Sequence, residues 1–568
     1  MPASDHASRT PMTRNDSKNA LRIAILGGGP RGLAAAEALA AQAARQNQPI
    51  ALTMIDAQGL FGSGPNYDPG QTEMNLLNIP LRLIDIPCPT HPHPSPLAFS
   101  AWLRDRHGID DPEHYPARSH LGGYFARRWR SLVDTAPPQL SIETATATVT
   151  DLTQTATGWM VHAGHAQLGP FDRVLLALGH QHAADGQIEK WQAHARRTQA
   201  DFLPAYPSAP LLQAAHRWSG RTIAIRGLGL STIDVLRLLT LGLGGRFDAE
   251  RTGLVYRPSG QEPRAILPFS RDGIPPAPKP ASAEIDALYE IGPEAEARFA
   301  SGLGTILSRD IDDPLKPLSA LLADIATPIA GHLGMARDVL SHWLAIEIDP
   351  EAHHPIENRP AAEIMATYLA MAENRTPPSP GYLIGQVWRK LQTPLRKAFN
   401  PISISARTAE SLVRFDEDLK RFSYGPPPQA NRRMLALIAA GLLDLRAVED
   451  PDIVLVADGW RLSGEETDLA ASVMIDAVLP PGDLAAVDMP LIAALRERGL
   501  LAAAGERLGI ATRPDGTVLD RDGNEVEGLA VLGRMATGSV IATDSVHDCF
   551  GAAVTRWAAM AAQNPDVR

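Results

Sequence analysis

The stretch of sequence that decides the fold is residues 21–56, LRIAILGGGPRGLAAAEALAAQAARQNQPIALTMID. It begins with an apolar run suited to a buried strand and passes through a glycine-rich turn. It continues as an Ala- and Leu-rich helix and ends in a second apolar run closed by Asp56. Strand, G-x-G-x-x-G turn, helix, strand and acidic residue, in this order, predict the first unit of a dinucleotide-binding fold.

Each glycine of this turn has a separate physical task. Gly27 makes the tight turn, Gly29 lets the backbone approach a pyrophosphate, and Gly32 lets the helix pack on the strand. The helix N-terminus then presents free N–H groups and a positive dipole end to the phosphates, and Asp56 can accept hydrogen bonds from ribose hydroxyls. The residues predicted to hold this first dinucleotide are Gly27, Gly28, Gly29, Arg31, Gly32 and Asp56.

A second copy of the pattern starts near residue 220. The run Thr222–Arg226 is predicted to be a strand, GLGLST at 227–232 to be the turn, and the next strand to end at Arg257. A basic residue in that place attracts the 2′-phosphate of NADP, which a carboxylate would repel, so this site favours NADP over NAD. A solvated surface arginine is the alternative interpretation of Arg257. The residues predicted to hold this second dinucleotide are Gly227, Gly229, Ser231, Thr232 and Arg257.

Composition excludes several other classes of protein. The net charge of −11 argues against general nucleic-acid binding, which needs a basic face. The chain has two cysteines and no CxxC motif, which fits a reducing compartment, and we predict a cytoplasmic location. Because no third ligand has suitable spacing to His91 and His93, no metal site is predicted. No apolar run is long enough to span a membrane, and none resembles a secretory signal.

Several sequence blocks together resemble a known family. They include GGGPRG at 27–32, GSGP at 62–65, GLGLSTID at 227–234, YRPSG at 256–260 and SRDGIP at 270–275. The chain resembles the two-dinucleotide-binding-domain flavoproteins. Within them it is similar to the bacterial FAD-NAD(P)-binding family that includes the nitrosuccinate-forming L-aspartate N-monooxygenases. The resemblance adds Gly64, Gly179 and Gly533 to the FAD site and implies that the second dinucleotide is NADPH, with NADH less favoured.

The fold class expected from this resemblance is α/β. It has two Rossmann-like dinucleotide-binding domains, for FAD and NAD(P), each with a β-meander, and an inserted helical subdomain. The tail at 1–20 is predicted to be disordered. The FAD domain is predicted at 21–215 and 486–562, the NAD(P) domain at 219–283 and 425–485, and the helical insertion at 284–424.

The resemblance implies an FAD-dependent NAD(P)H oxidoreductase, a monooxygenase that hydroxylates the nitrogen of a small amine or amino acid. Its substrates are then this small molecule and O2, and the oligomeric state stays open. Two alternatives remain: an NAD(P)H:acceptor oxidoreductase that does not incorporate oxygen, and a cofactor-binding protein without turnover. Asn78, Arg82, Arg271 and Arg534 are the candidates for the substrate pocket, because several arginines on one site suit a substrate with carboxylates. For any single arginine, a contact with a cofactor phosphate or with solvent is an equally good interpretation.

Overall fold

The computed structural model describes residues 20–563, apart from 90–97, 252, 310, 350, 353, 355–358 and 465–466. Most of the tail predicted to be disordered, and both His91 and His93, lie outside the described residues. Within them, no helix is long and apolar enough to cross a membrane. The cytoplasmic location stays a prediction.

The first sheet has six strands in the order β17-β18-β7-β1-β2-β3. All neighbours are parallel except β17 and β18, so the first glycine turn lies at the carboxyl end of a central strand. Its strands are β1 (Leu21–Leu26), β2 (Ile50–Asp56), β3 (Leu140–Thr146), β7 (Arg173–Leu176), β17 (Thr517–Leu519) and β18 (Glu525–Val531). Because β18 comes from the end of the chain, the C-terminal segment completes this sheet.

The second sheet has four parallel strands in the order β12-β9-β16-β8. These are β8 (Asp201–Pro204), β9 (Thr222–Arg226), β12 (Ala265–Phe269) and β16 (Val473–Asp476). Each main sheet is accompanied by a three-stranded antiparallel meander. The meanders are β4 (Asp151–Thr155), β5 (Gly158–Ala163) and β6 (Ala166–Phe171), and β13 (Asp452–Val456), β14 (Gly459–Gly464) and β15 (Thr467–Ala471). The predicted α/β class with two Rossmann-like units is thereby confirmed.

One strand lies elsewhere than the second glycine motif predicts. Gly253–Arg257 forms β11, but it pairs antiparallel with β10 (Arg246–Glu250) in a separate two-stranded ribbon. The strand that lies parallel beside β9 is β12. A hairpin between neighbouring segments closes a very short loop, whereas a parallel pairing needs a crossover, so β10 and β11 pair locally.

Helices pack on both sheets and form a large segment between the two halves of the second unit. In the first half of the chain they are α1 (Pro30–Gln46), α2 (Phe99–His107), α3 (Arg118–Thr135), α4 (Gly186–Arg197), α5 (Ser208–Ala215) and α6 (Leu230–Thr240). The helical segment comprises α7 (Ala283–Ala287), α8 (Pro293–Leu307), α9 (Leu315–His332), α10 (Arg337–Glu347), α11 (Ala361–Ala372), α12 (Pro380–Lys390), α13 (Gln392–Phe399), α14 (Ala406–Ser423) and α15 (Pro428–Ala439). The remaining helices are α16 (Pro490–Glu497), α17 (Val546–Cys549) and α18 (Ala552–Ala561).

The helical segment is tied to the C-terminal segment by a shared apolar core. Leu508, Ile541 and Ala542 are buried in the same cluster as the side chains of α8, α9, α12 and α14. By contrast, α15 packs its Met434 and Leu437 against the second sheet. The shared core holds helices of the insertion against the part of the chain that follows β18. The exact domain boundaries remain predictions.

Candidate active site

The first glycine turn is built so closely that two of its positions admit no side chain. Gly27 has a φ of 110°, and a Cβ on it would lie 2.3 Å from the Ala177 carbonyl oxygen. A Cβ on Gly32 would lie 2.1 Å from the Gly27 carbonyl oxygen. The protein itself therefore requires glycine at both positions, for the turn and for the packing of α1 on β1.

Asp56 holds this turn in place from the end of β2. Its Oδ2 accepts a hydrogen bond from the Gly28 N–H at 2.9 Å, and its Oδ1 accepts from the N–H groups of Gln58 and Leu60 at 3.0 and 3.1 Å. The carboxylate is buried and fixed by these three amides. Its predicted contact with a ribose stays a prediction, and any ribose hydroxyl must share an oxygen that already accepts from the backbone.

The middle of the turn is open where a pyrophosphate is expected. Gly29 is the N-cap of α1 with extended backbone, and a Cβ on it would meet nothing closer than the Gly64 Cα at 3.8 Å. Gly64 has a φ of 61°, and its own Cβ would lie 2.9 Å from the Gly29 Cα. The N–H groups of the first turn of α1 have no partner within the helix. This arrangement fits a dinucleotide phosphate over Gly29, with Gly64 close beside it.

Arg31 and Gly533 meet behind the first turn. The Arg31 guanidinium is buried and bonds Asp548, with Nη2 at 2.7 Å from Oδ2 and Nη1 at 3.2 Å from the carbonyl oxygen. Gly533 has a φ of 90°, and a Cβ there would lie 2.5 Å from the Arg31 Nε. Glycine at 533 thus makes room for the Arg31–Asp548 pair, which links the start of α1 to α17. Only the backbone of Arg31 stays free to face a phosphate.

The second glycine turn has the same form with a looser fit. Gly227 has a φ of 116°, and a Cβ on Gly229 would meet nothing within 4 Å. Thr232 is completely buried, and its hydroxyl donates to the Gly227 carbonyl oxygen at 2.7 Å. In the first turn, the backbone of Gly32 lies directly against the backbone of Gly27. In the second turn, the Thr232 hydroxyl lies between the corresponding backbone segments, which explains why position 232 tolerates threonine. Buried Ser231 begins the helix beside it.

Arg257 is the last residue of β11, in the two-stranded ribbon that is separate from the second sheet. Its strand is followed by Ser259, whose hydroxyl donates to the Leu243 carbonyl at 2.7 Å, and by Gly260, whose carbonyl accepts from Ser219, just before β9, at 3.4 Å. Ser219 lies just before the amino end of β9 and Leu243 lies after the end of α6, whereas Gly227 follows the carboxyl end of β9. The half-exposed guanidinium of Arg257 is paired with Glu250.

Arg271 occupies the position that the second motif predicts for a basic residue. It comes two residues after Phe269, the last residue of β12, and the Phe269 carbonyl accepts a hydrogen bond from the Gly227 N–H at 2.7 Å. Arg271 is exposed and makes no ion pair with the residues that the structure describes. A basic side chain at the carboxyl end of the strand beside the first is where a 2′-phosphate is recognised in Rossmann-like folds.

A third group lies where the helical segment meets the C-terminal segment. Asp544 is bound by Lys420 of α14, with Nζ at 2.6 Å from Oδ2, and by Arg534, which also donates to the Pro480 carbonyl at 2.9 Å. We call Lys420, Arg534 and Asp544 the Asp544 cluster. Both cations hold the pKa of Asp544 below its usual value although burial opposes this. The carboxylate is therefore ionised throughout the physiological range.

Two further predicted residues lie beside the Asp544 cluster. Asn78 donates to the Tyr424 carbonyl at 3.3 Å, and the Tyr424 ring lies under Lys420 with Nζ 5.3 Å from its centroid. His180 follows Gly179, which has a φ of 68° and open space around its Cα. Partial desolvation and the charge of Arg534 lower the pKa of His180 to about 4, so its accessible imidazole is neutral at pH 7.

Arg82 lies in a different network. It pairs with Glu113 at 2.8 Å and with the buried Asp286 of α7 at 3.0 Å. Arg389 and Lys390 of α12 bind the same carboxylate. Of the four pocket candidates, Asn78 and Arg534 are therefore connected by contacts, which run through Tyr424, Lys420 and Asp544. Arg82 instead helps to attach the helical segment. Arg271 lies beside the second glycine turn.

Sequence reasoning missed the residues that the helical segment brings to this place. Lys420 and Arg396 lie in an amphipathic region where charged residues every few positions are typical of a solvated helix face, so no local signal marks them. No local signal marks Arg118 either. It is the first residue of α3, and its Nη2 lies 2.6 Å from Oδ2 of the buried Asp234 of α6. Among the residues that the structure describes, no group of three His, Cys, Asp or Glu could hold a metal ion.

Two mainly parallel sheets, each with a glycine turn open to a pyrophosphate at the carboxyl end of a central strand, are typical of a protein that binds two dinucleotides. Residues 24–181 match the family model described as FAD-NAD(P)-binding. Over 532 aligned residues, covering 84% of this chain and 80% of the relative, the chain is 26% identical to a nitrosuccinic acid synthase from Aspergillus oryzae. It is 25% identical to a nitrosuccinate-forming L-aspartate N-monooxygenase from Streptomyces cremeus, over 84% of this chain and 83% of the relative.

The fold comparison agrees with this class. A structure of the reduced form of an ornithine hydroxylase from Pseudomonas aeruginosa aligns with a TM-score of 0.50 at 12% identity, covering 95% of this chain and 98% of that one. This likeness concerns the fold. The resemblance found in the sequence blocks is confirmed, and the protein is an FAD- and NAD(P)-binding oxidoreductase, with a relative from Streptomyces cremeus that is named as a monooxygenase.

Proposed function

We propose that this protein oxidises the amino nitrogen of L-aspartate or of a closely similar acidic amino acid, using FAD, NADPH and O2. The observation that carries the proposal is the similarity, over 84% of the chain, to two relatives that are named for nitrosuccinate formation. Lys420 and Arg534 place two cations beside the C-terminal segment, and both already bind Asp544.

The residues of the first turn fit FAD. We assign the pyrophosphate to the backbone of Gly29 and the first turn of α1, with Gly64 beside it, since this is the open part of the turn. When bound, FAD supplies the chemistry of electron uptake and oxygen activation. The protein's own contribution is to orient the substrate nitrogen and to exclude water from the reacting atoms.

NADPH is assigned to the second turn, with its pyrophosphate over Gly229 and its 2′-phosphate on Arg271. The topology supports Arg271 in preference to Arg257, since β12 and not β11 lies beside β9. Arg257 also has a carboxylate partner already, whereas Arg271 makes no ion pair with the described part of the chain. NADPH is therefore still expected to be preferred to NADH, but because of Arg271 and not because of Arg257.

Neutral His180 is suited to accept a hydrogen bond from the amino group of the substrate. A nitrogen nucleophile must be an uncharged amine, whereas the amino group of an amino acid is protonated at pH 7. With a pKa of about 4, His180 is too weak a base to keep the proton that the substrate ammonium group loses, so that proton passes on to solvent. The imidazole of His180 is accessible, and the lowered pKa keeps it unprotonated. We assign it the position next to the substrate ammonium group, where its free ring nitrogen accepts a hydrogen bond.

The test is coupled turnover. Purified protein loaded with FAD is mixed with NADPH and L-aspartate in air, and NADPH consumption, hydrogen peroxide and product mass are followed together. The expected result is an N-oxygenated product whose amount matches NADPH within about twofold, with much less turnover of L-asparagine and L-lysine. Steady NADPH oxidation that yields only peroxide or a reduced acceptor with every amine would contradict the proposal and favour an acceptor oxidoreductase.

A further inference from the structure

Helix α13 is fixed against the segment that follows β18. Asn400, which ends α13, accepts the Ile541 N–H on its Oδ1 at 3.0 Å, and its carbonyl accepts from Arg556 Nη2 at 3.2 Å. Ile541 lies three residues before Asp544, the centre of the Asp544 cluster. Side chains one turn before Asn400 on the same face of α13 therefore point toward the same region.

Arg396 is the residue in that position, and its guanidinium is incompletely satisfied. Its Nη1 is buried without a hydrogen-bond partner, and its Nη2 makes only a long contact of 3.4 Å with the Thr393 hydroxyl. Arg396 makes no ion pair within the described ranges, in contrast to Lys420 and Arg534, which both bind Asp544. A buried charged donor without an acceptor is costly, so a bound group is expected to supply one.

Electrostatic effects on two neighbouring groups place this guanidinium near His547 of α17 and near Tyr424. Burial lowers the pKa of His547, and the charge of Arg396 is the largest electrostatic contribution in the same direction. Arg396 also acts on Tyr424, together with Lys420 and Asp544. Within the part of the chain that the structure describes, Arg396 thus lies near Tyr424 and His547 without a carboxylate partner.

We infer that Arg396 is the specificity-determining residue that binds the side-chain carboxylate of the substrate. This inference rests on the proposed function and deepens it. A carboxylate oxygen would satisfy the unpartnered Nη1 and form a charge-assisted hydrogen bond, whereas the amide of L-asparagine brings no charge. Lys420 and Arg534 then serve to hold Asp544 and the C-terminal segment, and the recognition of an acidic side chain comes from the helical segment.

The experiment compares Arg396→Gln with Lys397→Gln, which removes a charge from the exposed neighbouring position on the same helix. KM for L-aspartate, the ratio of kcat/KM for L-aspartate to that for L-asparagine, and the inhibition constant of succinate are measured, with FAD content as a control. We expect Arg396→Gln to raise KM and the inhibition constant about ten- to a hundredfold and to abolish the preference for aspartate. Lys397→Gln should stay within about twofold of the unsubstituted enzyme.

The outcomes separate this inference from the proposed function. If the unsubstituted enzyme does not oxidise L-aspartate, the proposed function fails first and the inference with it. If it does, and Arg396→Gln keeps its FAD, its KM and its preference, the inference alone is overturned. Arg396→Met, which keeps the length of the side chain and its packing, is measured in parallel and decides the question if the Gln variant loses FAD.

Discussion

The glycines of the first turn are required for different reasons, and the space around each glycine indicates the reason. At Gly32 a Cβ would lie 2.1 Å from the Gly27 carbonyl oxygen, so the protein's own packing demands glycine. At Gly29 a Cβ would have an ordinary contact at 3.8 Å, and the backbone has a φ of −70°, which any residue adopts. Nothing in the described polypeptide excludes a Cβ at 29, which agrees with the proposal that glycine there makes room for the cofactor.

The first prediction follows from this difference. Gly29→Val should fold with a Tm near that of the unsubstituted protein and should bind little or no FAD, because its methyl groups take the place of the pyrophosphate. Gly32→Ala should lower the Tm, since backbone must move to admit the Cβ. Flavin absorbance after gel filtration and thermal unfolding of the apoprotein measure the two effects. A normal flavin content in Gly29→Val would refute the assignment of the FAD site.

The second prediction concerns two arginines that sequence alone does not distinguish. Arg271→Ala should raise KM for NADPH about ten- to a hundredfold, the range for a lost charge-assisted hydrogen bond, and should leave KM for NADH nearly unchanged. Arg257→Ala, the matched control on the ribbon, should change neither value by more than about twofold. Steady-state kinetics with NADPH and with NADH measure both KM values. A selective loss of NADPH affinity in Arg257→Ala would reverse the assignment.

At the scale of elements, α7 attaches the helical segment through one carboxylate. Asp286 is buried and binds Arg82 from the first unit together with Arg389 and Lys390 from α12. Burial alone would raise its pKa, but the cations outweigh burial and leave the pKa below its ordinary value. Removing this one charge leaves Arg389 without a carboxylate partner among the described residues, while Arg82 and Lys390 keep Glu113 and Glu290. Breaking such a network at one buried partner is worse than removing a whole pair.

The third prediction is therefore that replacing the Asp286 carboxylate by an amide of the same size strongly destabilises the protein. Asp286→Asn should lower the free energy of unfolding by about 3–5 kcal/mol, the cost of breaking a buried ionic network at one partner. Glu113→Gln, which removes the more exposed partner of Arg82, should cost about 1 kcal/mol or less. Urea unfolding measures both. Equal effects of the two substitutions would show that Asp286 is not the centre of the network.

The stability that Asp286 contributes should also depend on pH. Since its pKa is lower in the folded than in the unfolded protein, Asp286 contributes stability that is complete above the unfolded pKa of about 4. This contribution is lost as the pH falls through the folded pKa. The difference in unfolding free energy between the unsubstituted protein and Asp286→Asn should therefore be constant from about pH 5 to 8 and shrink in more acidic solution.

At the scale of the whole molecule, one buried residue links the two dinucleotide-binding units. Asp234 on α6 accepts hydrogen bonds at 2.6 Å from Arg118 of the first unit, from the Tyr206 hydroxyl and from Arg237. It lies two residues after Thr232, directly behind the second glycine turn. Because hydride transfer needs the nicotinamide placed against the flavin, the orientation that this contact sets matters for the reductive step.

The fourth prediction tests this link. Asp234→Asn should slow the reduction of FAD by NADPH at least tenfold, because it leaves Arg118 and Arg237 without a counter-charge and frees the two units to shift. Tyr206→Phe removes a single neutral donor and should change the rate by less than about threefold. Anaerobic stopped-flow absorbance of the flavin measures the rate. A rate unchanged in Asp234→Asn at normal FAD content would show that the contact does not orient the units.

The sequence by itself determined the two glycine turns and the order of elements around them. These signals are local, since a tight turn, a buried strand and a helix start each depend on residues within about ten positions. Gly27–Gly32 with Asp56, the turn from Gly227 to Thr232, the strand at the end of the chain and the mostly helical nature of the insertion were all predictable for that reason. The blocks that resemble known flavoproteins lie mainly in these same local elements.

Only the tertiary structure decided which distant side chains meet. The proposal of Arg271 in place of Arg257 rests on which strand pairs with β9, and that pairing is made by the backbone across the sheet and not by the residues near either arginine. Lys420 and Arg396 reach the C-terminal segment because α13 and α14 share a core with Ile541. Burial places both residues, and Lys420 also pairs with the distant Asp544; neither effect leaves a mark in the neighbouring sequence.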